Sequence, residues 1–270
     1  MNLRVDPESR AAPVIAVLPA LNEEAAVGAQ VKTLLAHGGL RALGLERVIV
    51  VDNGSDDRTE SVAAAAGALV VREPRRGYGQ ACLAGVLSAA PGSIILLMDA
   101  DGSDDPDGAA RVLAEVVHGG ADLCVGSRAR GQSDPGALTP QQRVGNALGA
   151  WLLRVLAGVR VSDLGPVRAI WREALLALDM REVTYGWSTE MLLKAGRAGY
   201  RVAEVPVDYH RRTGGRSKVA GTLLGTLGAS RAILSTLARY ARWRPAISGP
   251  EATPHRPLDQ LSAKGANDAS

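Results

Sequence analysis

The chain has 270 residues and a net charge of +3, with 46% hydrophobic and 22% charged residues, the balance of an ordinary globular protein. Its length allows one large α/β domain, or one domain with an appendage. Aromatic residues are scarce, with five Tyr, four Trp and no Phe, so stacking on bases is disfavoured and no nucleic-acid partner is expected. Cys82 and Cys124 lie in apolar segments without metal-ligand spacing, and we expect them to be reduced.

The sequence predicts no membrane-spanning segment. Residues 1–12 are polar and charged rather than a signal peptide, and no apolar run reaches the roughly 18 residues of a spanning helix. We therefore expect a cytoplasmic protein. Residues 200–245 hold nine basic and two acidic residues, which predicts an anionic partner at this end: phosphate, a membrane surface or, less in keeping with the few aromatics, nucleic acid.

Strand and helix patterns alternate through the first half of the chain. Short apolar runs predict five strands, at Val14–Leu18, Arg47–Val51, Ala68–Val71, Ser93–Met98 and Asp122–Val125. Helical spacing between these strands predicts four helices: Glu24–His37 with Asn22 as N-cap, a helix that ends at Ala66, Gly79–Ala90 and Asp107–His118. This alternation predicts right-handed βαβ units and a mostly parallel, Rossmann-like sheet flanked by helices.

After Gly126 the pattern is less regular. It predicts a loop at Arg128–Thr139, a helix at Pro140–Ala157 and a turn at Asp163–Pro166. A second helix follows at Thr189–Ala198, then a strand at Val202–Tyr209 and a basic loop at Arg211–Lys218. Residues 219–243 have helical periodicity, with leucines on one face and arginines on the other. Two interpretations stay open for this basic amphipathic helix: packing against the domain, or lying on a membrane surface.

Three predicted strands end in polar clusters, which are Pro19-Ala20-Leu21-Asn22-Glu23, Asp52-Asn53-Gly54-Ser55 and Asp99-Ala100-Asp101. Because ligands of open α/β sheets bind outside the carboxyl ends of the strands, these clusters are expected to share one crevice. Unpaired, Asp99 and Asp101 repel, and a divalent cation that also binds a diphosphate removes that cost. A lone Asp-x-Asp could equally be a helix-capping turn. The turn from Arg75 to Gly79 weakly predicts a phosphate contact through backbone N–H groups.

These motifs resemble a known family. Residues 17–24 (VLPALNEE), 51–57 (VDNGSDD) and 98–101 (MDAD) are similar to the nucleotide-sugar-binding motifs of inverting family 2 glycosyltransferases, which have the GT-A fold. Residues 126–128 (GSR), 163–168 (DLGPVR), 204–207 (EVPV) and 212–218 (RTGGRSK) resemble the polyprenyl-phosphate hexose synthases, a subgroup that includes dolichyl-phosphate mannose synthase. The resemblance spans about Val14 to Arg242.

The resemblance implies metal-dependent, inverting transfer of a hexose from a UDP- or GDP-sugar to a polyprenyl phosphate, with Mg²⁺ or Mn²⁺ and peripheral membrane contact. It implies a GT-A domain over residues 13–245, with a nucleotide-sugar half at 13–127 and an acceptor half at 128–245; residues 1–12 and 246–270 are expected to be disordered. Three alternatives stay open: a soluble or other lipid hydroxyl acceptor, a nucleotidyltransferase, and an inactive binding module.

The resemblance also implies roles for single residues. We expect the nucleotide sugar to contact Pro19, Asn22, Glu23, Asp52, Asn53, Gly79, Asp99, Ala100 and Arg128. We expect the acceptor phosphate to contact Arg168, Arg212, Ser217 and Lys218. Asp101 and Asp99 are expected to ligate the metal, and Ser103 stands where the subgroup has a Gln ligand, so that Ser103, Asp104 or Asp105 could complete the site. Many relatives have Asp where this chain has Asn53.

The predicted catalytic residues are Asp101, Arg168 and Glu190. A phosphate acceptor is already an anion and attacks without a base, whereas a hydroxyl acceptor needs one. Residues 185–190 (YGWSTE) resemble the acceptor-side loop of the family and place Glu190 where a base could sit. The competing interpretation is that Glu190 caps or charges the helix that it begins.

Overall fold

The computed structural model describes residues 12–134, 140–212 and 233–245, without the side chains of residues 140–143. The ends expected to be disordered lie outside these residues, apart from position 12. Ser217, Lys218 and most of the helix predicted at 219–243 also lie outside them.

Seven strands form one sheet, and they are β1 (Val14–Ala20), β2 (Leu45–Asp52), β3 (Leu69–Arg72), β4 (Ile94–Leu97), β5 (Leu123–Ser127), β6 (Arg168–Trp171) and β7 (Val202–Pro206). Their order is β3-β2-β1-β4-β6-β5-β7. Neighbouring strands are parallel except where β6 pairs with β4 and β5, so β6 alone among these strands runs in the opposite direction. The prediction of a mostly parallel sheet is confirmed.

Eight helices are α1 (Val27–Ala36), α2 (Gly38–Ala42), α3 (Thr59–Ala65), α4 (Tyr78–Ser88), α5 (Pro106–Val117), α6 (Pro140–Ala157), α7 (Arg172–Ala177) and α8 (Trp187–Arg197), and residues 233–240 are also helical. Helices lie on both faces of the sheet, because alternate residues of β1 enter two different hydrophobic cores: Ile15 and Val17 one, Ala16 and Leu18 the other. This two-sided burial explains why the central strands are continuous apolar runs. In the part of the chain that is described, no helix is long and apolar enough to cross a bilayer.

Two details differ from the sequence prediction. Asn22 does not cap a helix, because α1 begins at Val27 with Ala26 as its N-cap. Asn22 instead has a φ of 54°, a left-handed conformation that Asn tolerates better than most residues, and its side chain binds the loop after β2. The antiparallel strand β6 was not predicted, because its four residues follow a turn and carry an arginine. It lies between β4 and β5, so both predicted halves of the chain share one sheet.

Candidate active site

The polar clusters after β1 and β2 are joined by hydrogen bonds at the carboxyl edge of the sheet. The backbone N–H of Asn53 donates to the carbonyl of Ala20 at 2.9 Å. The side-chain oxygen of Asn22 accepts from the N–H of Asp56 at 2.8 Å, and the N–H of Asn22 donates to Ser55 Oγ at 2.9 Å. The structure therefore brings the first two predicted clusters together. The third cluster, Asp99-Ala100-Asp101, follows β4, which is the neighbour of β1 in the sheet.

The side chain of Asn53 shapes the loop that leads to α4. Its Nδ2 donates to the carbonyls of Glu73 and Arg75 at 2.8 and 2.9 Å, and its Oδ1 accepts from the N–H of Gly77 at 2.7 Å. An ionised aspartate has no donor for those two carbonyls. The amide of Asn53 is therefore required by this loop. Its contact with a nucleotide stays a prediction.

Three other predicted nucleotide contacts line the same edge. Pro19 pairs with Val51 across β1 and β2, and Ala100 is buried three residues after the end of β4. Asp52 is 8% exposed, and its Oδ1 accepts from the N–H of Ser55 at 3.1 Å. This bond closes the turn after β2 and fixes the carboxylate at the mouth of the crevice.

Gly79 packs against the acceptor half and does not present its N–H group to the crevice. That N–H donates to the carbonyl of Val183 at 3.0 Å. A Cβ at Gly79 would lie 2.2 Å from the carbonyl oxygen of Glu182, so only glycine allows this approach. The phosphate contact predicted for Gly79 therefore finds no support in this geometry; the residue joins α4 to the loop before α8.

Three aspartates follow β4: Asp101 and Asp104 are buried, and Asp99 is partly buried. The N–H of Asp99 donates to Asp104 Oδ2 at 2.9 Å, whereas Asp104 Oδ1 is buried and has no hydrogen-bond partner among the described residues. Burial, followed by the charge of Asp101, raises the pKa of Asp99 to about 7. Burial and then the charge of Asp99 raise the pKa of Asp104 well above its ordinary value. Both carboxyl groups therefore favour the protonated form, and a cation bound beside them would offset the negative charge of their ionised forms.

Asp101 is held between Ser103 and Arg212. The N–H and hydroxyl of Ser103 donate to Asp101 Oδ1 at 2.9 and 2.5 Å, and Arg212 Nε lies 2.8 Å from Asp101 Oδ2. Arg212 Nη1 is 3.7 Å from Glu23 Oε1. Burial, the largest single influence, lowers the pKa of Arg212, but the charges of Asp101, Asp99 and Glu23 together outweigh it and the pKa is raised. Arg212, predicted to bind acceptor phosphate, is therefore placed among the predicted metal and nucleotide residues.

The carboxylates after β4 suit a hard divalent cation such as Mg²⁺ or Mn²⁺. Within residues 12–134, 140–212 and 233–245, no group of three or more His, Cys, Asp or Glu side chains is arranged to hold a metal. Mg²⁺, however, is commonly bound by one or two carboxylates together with substrate phosphates. Asp99, Asp101 and the unpartnered Oδ1 of Asp104 meet that requirement. Ser103 orients Asp101, and Asp105 caps α5 by accepting from Asp107 and Gly108.

Arg128, at the carboxyl end of β5, is fixed by a buried carboxylate that the sequence analysis did not assign. Its Nε and Nη2 donate to the two oxygens of Asp163 at 2.7 and 2.9 Å, and its guanidinium lies 5.0 Å from the ring centre of Tyr209. Asn146 Nδ2 also donates to Asp163. Burial opposes both charges, but each partner outweighs it: Asp163 raises the pKa of Arg128, and Arg128 lowers the pKa of Asp163.

Arg168 begins β6 and is 1% exposed. Its guanidinium donates to the carbonyls of Leu164, Gly165 and Ser188 at 3.1, 3.0 and 2.6 Å. Burial lowers its pKa to about 10. As placed, Arg168 ties the 163–166 turn to the first residues of α8. Its contact with an acceptor phosphate stays a prediction.

Glu190 lies in a fully buried ion pair. Its Oε1 is 2.6 Å from Lys194 Nζ, and its carboxylate accepts from the N–H groups of Arg181 and Glu182. Lys194 also donates to the carbonyl of Asp179. The geometry favours a structural role over a base, although Glu190 holds the preceding loop rather than its own helix. The partner was visible in the sequence, since residues four apart on a helix are neighbours.

The described C-terminal residues pack on this pair. Lys194 Nζ lies 4.6 and 5.1 Å from the ring centres of Tyr240 and Trp243. Arg239 pairs with Glu182. Of the two interpretations of the basic amphipathic helix, the described part supports packing against the domain.

Comparisons with known proteins agree with this architecture. Residues 15–177 match the family described as Glycosyl transferase family 2. An uncharacterized glycosyltransferase of Mycobacterium tuberculosis is 44% identical, covering 79% of this chain and 93% of that protein. A dolichyl-phosphate hexose transferase of Haloferax volcanii is 33% identical, covering 73% and 83%.

The fold is also similar to that of a solved structure. Glucosyl-3-phosphoglycerate synthase from Mycobacterium tuberculosis, in complex with Mn²⁺, UDP-glucose and glycerol 3-phosphate, has a TM-score of 0.60 and 26% identity, covering 84% of this chain and 80% of that one. The predicted GT-A fold is confirmed. The chain belongs to glycosyl transferase family 2 and is a glycosyltransferase.

Proposed function

We propose that this glycosyltransferase moves a hexose from a UDP- or GDP-sugar to a polyprenyl phosphate, with inversion at the anomeric carbon. The observation that carries the choice of acceptor is the state of Glu190. This carboxylate, predicted as a base, is bound to Lys194 and to two backbone N–H groups. An acceptor that is already an anion needs no base, so a phosphate suits the site better than a hydroxyl.

The donor is a nucleoside diphosphate sugar bound at the carboxyl ends of β1, β2 and β4. The related synthase that binds UDP-glucose and Mn²⁺ supports both this donor class and a divalent cation. Asp99 and Asp101 would hold Mg²⁺ or Mn²⁺, which supplies positive charge to the departing nucleoside diphosphate. Pro19, Asn22, Glu23, Asp52, Asn53 and Ala100 lie at or just after the carboxyl ends of these three strands, which supports the same donor site.

The acceptor phosphate is bound by arginines at the same edge. Arg212 lies within 2.8 Å of Asp101, and Arg128 is fixed at the end of β5. A phosphate oxygen of the acceptor forms the new bond to the anomeric carbon as the bond to the diphosphate oxygen breaks, and no proton has to be removed. The dolichyl-phosphate hexose transferase of Haloferax volcanii supports this acceptor class. The protein would work at the cytoplasmic face of a membrane.

A second candidate acceptor is a small phosphorylated hydroxy acid. The similarity to glucosyl-3-phosphoglycerate synthase favours it. Its hydroxyl would have to lose a proton, and Glu190 would first have to leave Lys194.

A radiolabelled donor assay separates the two acceptors. We would supply UDP- and GDP-hexoses with Mn²⁺, and either a polyprenyl phosphate or 3-phosphoglycerate. The proposal predicts label in the lipid extract and one nucleoside diphosphate released per transfer. Label only in phosphoglycerate would support the second candidate, and release of pyrophosphate would identify a nucleotidyltransferase.

A further inference from the structure

Helix α6 carries a stripe of four exposed apolar side chains. Val144, Leu148, Trp151 and Val155 are 70%, 45%, 59% and 62% exposed. Their spacing of four, three and four residues places them on one face of the helix. The opposite side, which includes Leu153, is buried in the core. The stripe is therefore a separate surface, not a misplaced part of the core.

The charge beside this stripe is positive. Helix α6 contains arginines and no acidic residue, and Arg154 is exposed on it. A groove of about 550 Å³ beside the stripe is lined by Trp151, Arg154 and Arg160. Its one carboxylate, Glu204, accepts from the N–H of Ser162 at 2.6 Å and lies 3.5 Å from Arg130 Nη1. The negative charge of Glu204 is thus already matched, and the two arginines set the charge of the groove.

This surface adjoins the acceptor side of the candidate site. Asn146, two residues after the start of the stripe, donates to Asp163, which holds Arg128. The C-terminal helix packs beside α6, because a Cβ on Gly149 would lie 3.4 Å from Ile233 Cγ2. That helix adds a further exposed leucine, Leu234, 45% exposed.

We propose that the α6 face, defined by Val144, Leu148, Trp151 and Val155 with Arg154 beside them, docks on an anionic lipid bilayer. An apolar stripe with a Trp and a cationic flank is the pattern of a helix that lies in the membrane interface. An acceptor carried by the bilayer would then reach the crevice from the side of Arg128. This inference rests on the proposed function for the identity of that acceptor, but the docking itself can be tested alone.

Vesicle flotation tests the docking. The wild-type protein should float with vesicles containing anionic phosphatidylglycerol and should bind neutral phosphatidylcholine vesicles less. Leu148→Ser with Trp151→Ser should reduce binding by about tenfold or more, since the apolar anchor is lost. Arg154→Gln should reduce it by roughly fivefold and weaken its salt dependence. Leu87→Ser is the matched control: Leu87 on α4 is 57% exposed but lies outside the α6 face, and its variant should float like the wild type.

Two further readouts keep the outcomes distinct. A water-soluble, short-chain prenyl phosphate should be glycosylated equally by the wild type and the Leu148/Trp151 variant, which also shows that the variant is folded. Transfer without vesicle binding would overturn the docking and leave the function intact. Vesicle binding through α6 without any transfer to a prenyl phosphate would overturn the function alone. A dimer that these substitutions dissociate, with no vesicle binding, would assign the face to a second copy.

Discussion

Buried carboxylates have different partners on the two sides of the candidate site. The donor side is the segment after β4 that holds Asp99, Asp101 and Asp104, and the acceptor side holds Arg128, Asp163 and Glu190. On the acceptor side each has a buried cation: Asp163 holds Arg128, and Glu190 holds Lys194. On the donor side Asp99 and Asp104 lie together, and the pKa of each is raised by burial and by a neighbouring carboxylate. Arg212 compensates Asp101 from a partly exposed position.

This contrast separates positioning residues from binding residues. A buried ion pair with complete hydrogen bonding is a fixed structural element, and breaking it exposes an uncompensated charge. A carboxylate cluster with unmatched charge is ready to accept a cation and a ligand. The donor side is therefore where a metal and a diphosphate would complete the electrostatics, whereas the buried carboxylates Asp163 and Glu190 of the acceptor side already have cationic partners.

Asp101→Ala tests the metal-binding role of the donor side and has the largest expected effect. We expect glycosyl transfer to fall by about 100-fold or more, because the charge that the cation offsets on the leaving diphosphate is worth several kcal/mol. Mn²⁺ affinity, measured by calorimetry with the nucleoside diphosphate present, should fall as well. Glu46→Ala, on an exposed residue of β2, is the control. Unchanged turnover of Asp101→Ala would refute the metal assignment.

Arg128→Met tests the completeness of the acceptor side. It leaves Asp163 buried and unpaired, and we expect the free energy of unfolding to fall by about 3–5 kcal/mol. Arg130→Met is the matched control, since Arg130 is half exposed and pairs with Glu204; it should cost about 0–1 kcal/mol. Denaturant titration measures both variants. Equal losses would show that burial of the pair is not the deciding factor.

Gly79→Ala tests the junction between the two sides. Its Cβ would collide with the carbonyl of Glu182, and overpacking of this kind costs about 1–3 kcal/mol. Gly38→Ala is the control, because a Cβ there meets nothing within 4 Å. If both variants unfolded at the same temperature, the close approach of α4 to the 181–187 loop would be wrong.

Counted per pH unit, the smallest expected effect is a pH dependence of the donor side. The pKa of Asp99 is raised from 3.8 to about 7 in the folded chain. Between these values the folded state binds more protons than the unfolded state, so stability falls as pH rises. In metal-free protein we expect Tm to fall by roughly 3–5 °C for each pH unit between about 4 and 7, because one proton is worth about 1.4 kcal/mol per pH unit and 1 kcal/mol shifts Tm by about 2–4 °C in a chain of this size. Asp99→Asn should flatten this slope; an unchanged slope would assign it to other groups.

Much of the fold follows from local sequence. The apolar runs of β1, β2 and β4 and their polar ends predict a parallel sheet with one ligand-binding edge, and the structure has both. The pairings on the acceptor side could not be predicted in the same way, because Arg128 and Asp163 are 35 residues apart and meet only through the tertiary fold. The role of Asn22 could not be predicted locally either. Its residue type suggested a helix cap, but its side chain instead accepts a hydrogen bond from the N–H of Asp56, 34 residues away.

The most direct test is the rate of sugar transfer to polyprenyl phosphate by the Glu190→Gln, Lys194→Met double variant. Replacing both partners removes the buried charges together, which is far milder than removing one. If the acceptor phosphate attacks without a base and Glu190 is structural, the variant should remain folded and transfer label to the lipid at a rate within about tenfold of the wild type. A folded variant whose rate of transfer to the lipid falls by about 100-fold or more would contradict a purely structural role for Glu190, and with it the argument from Glu190 to a phosphate acceptor.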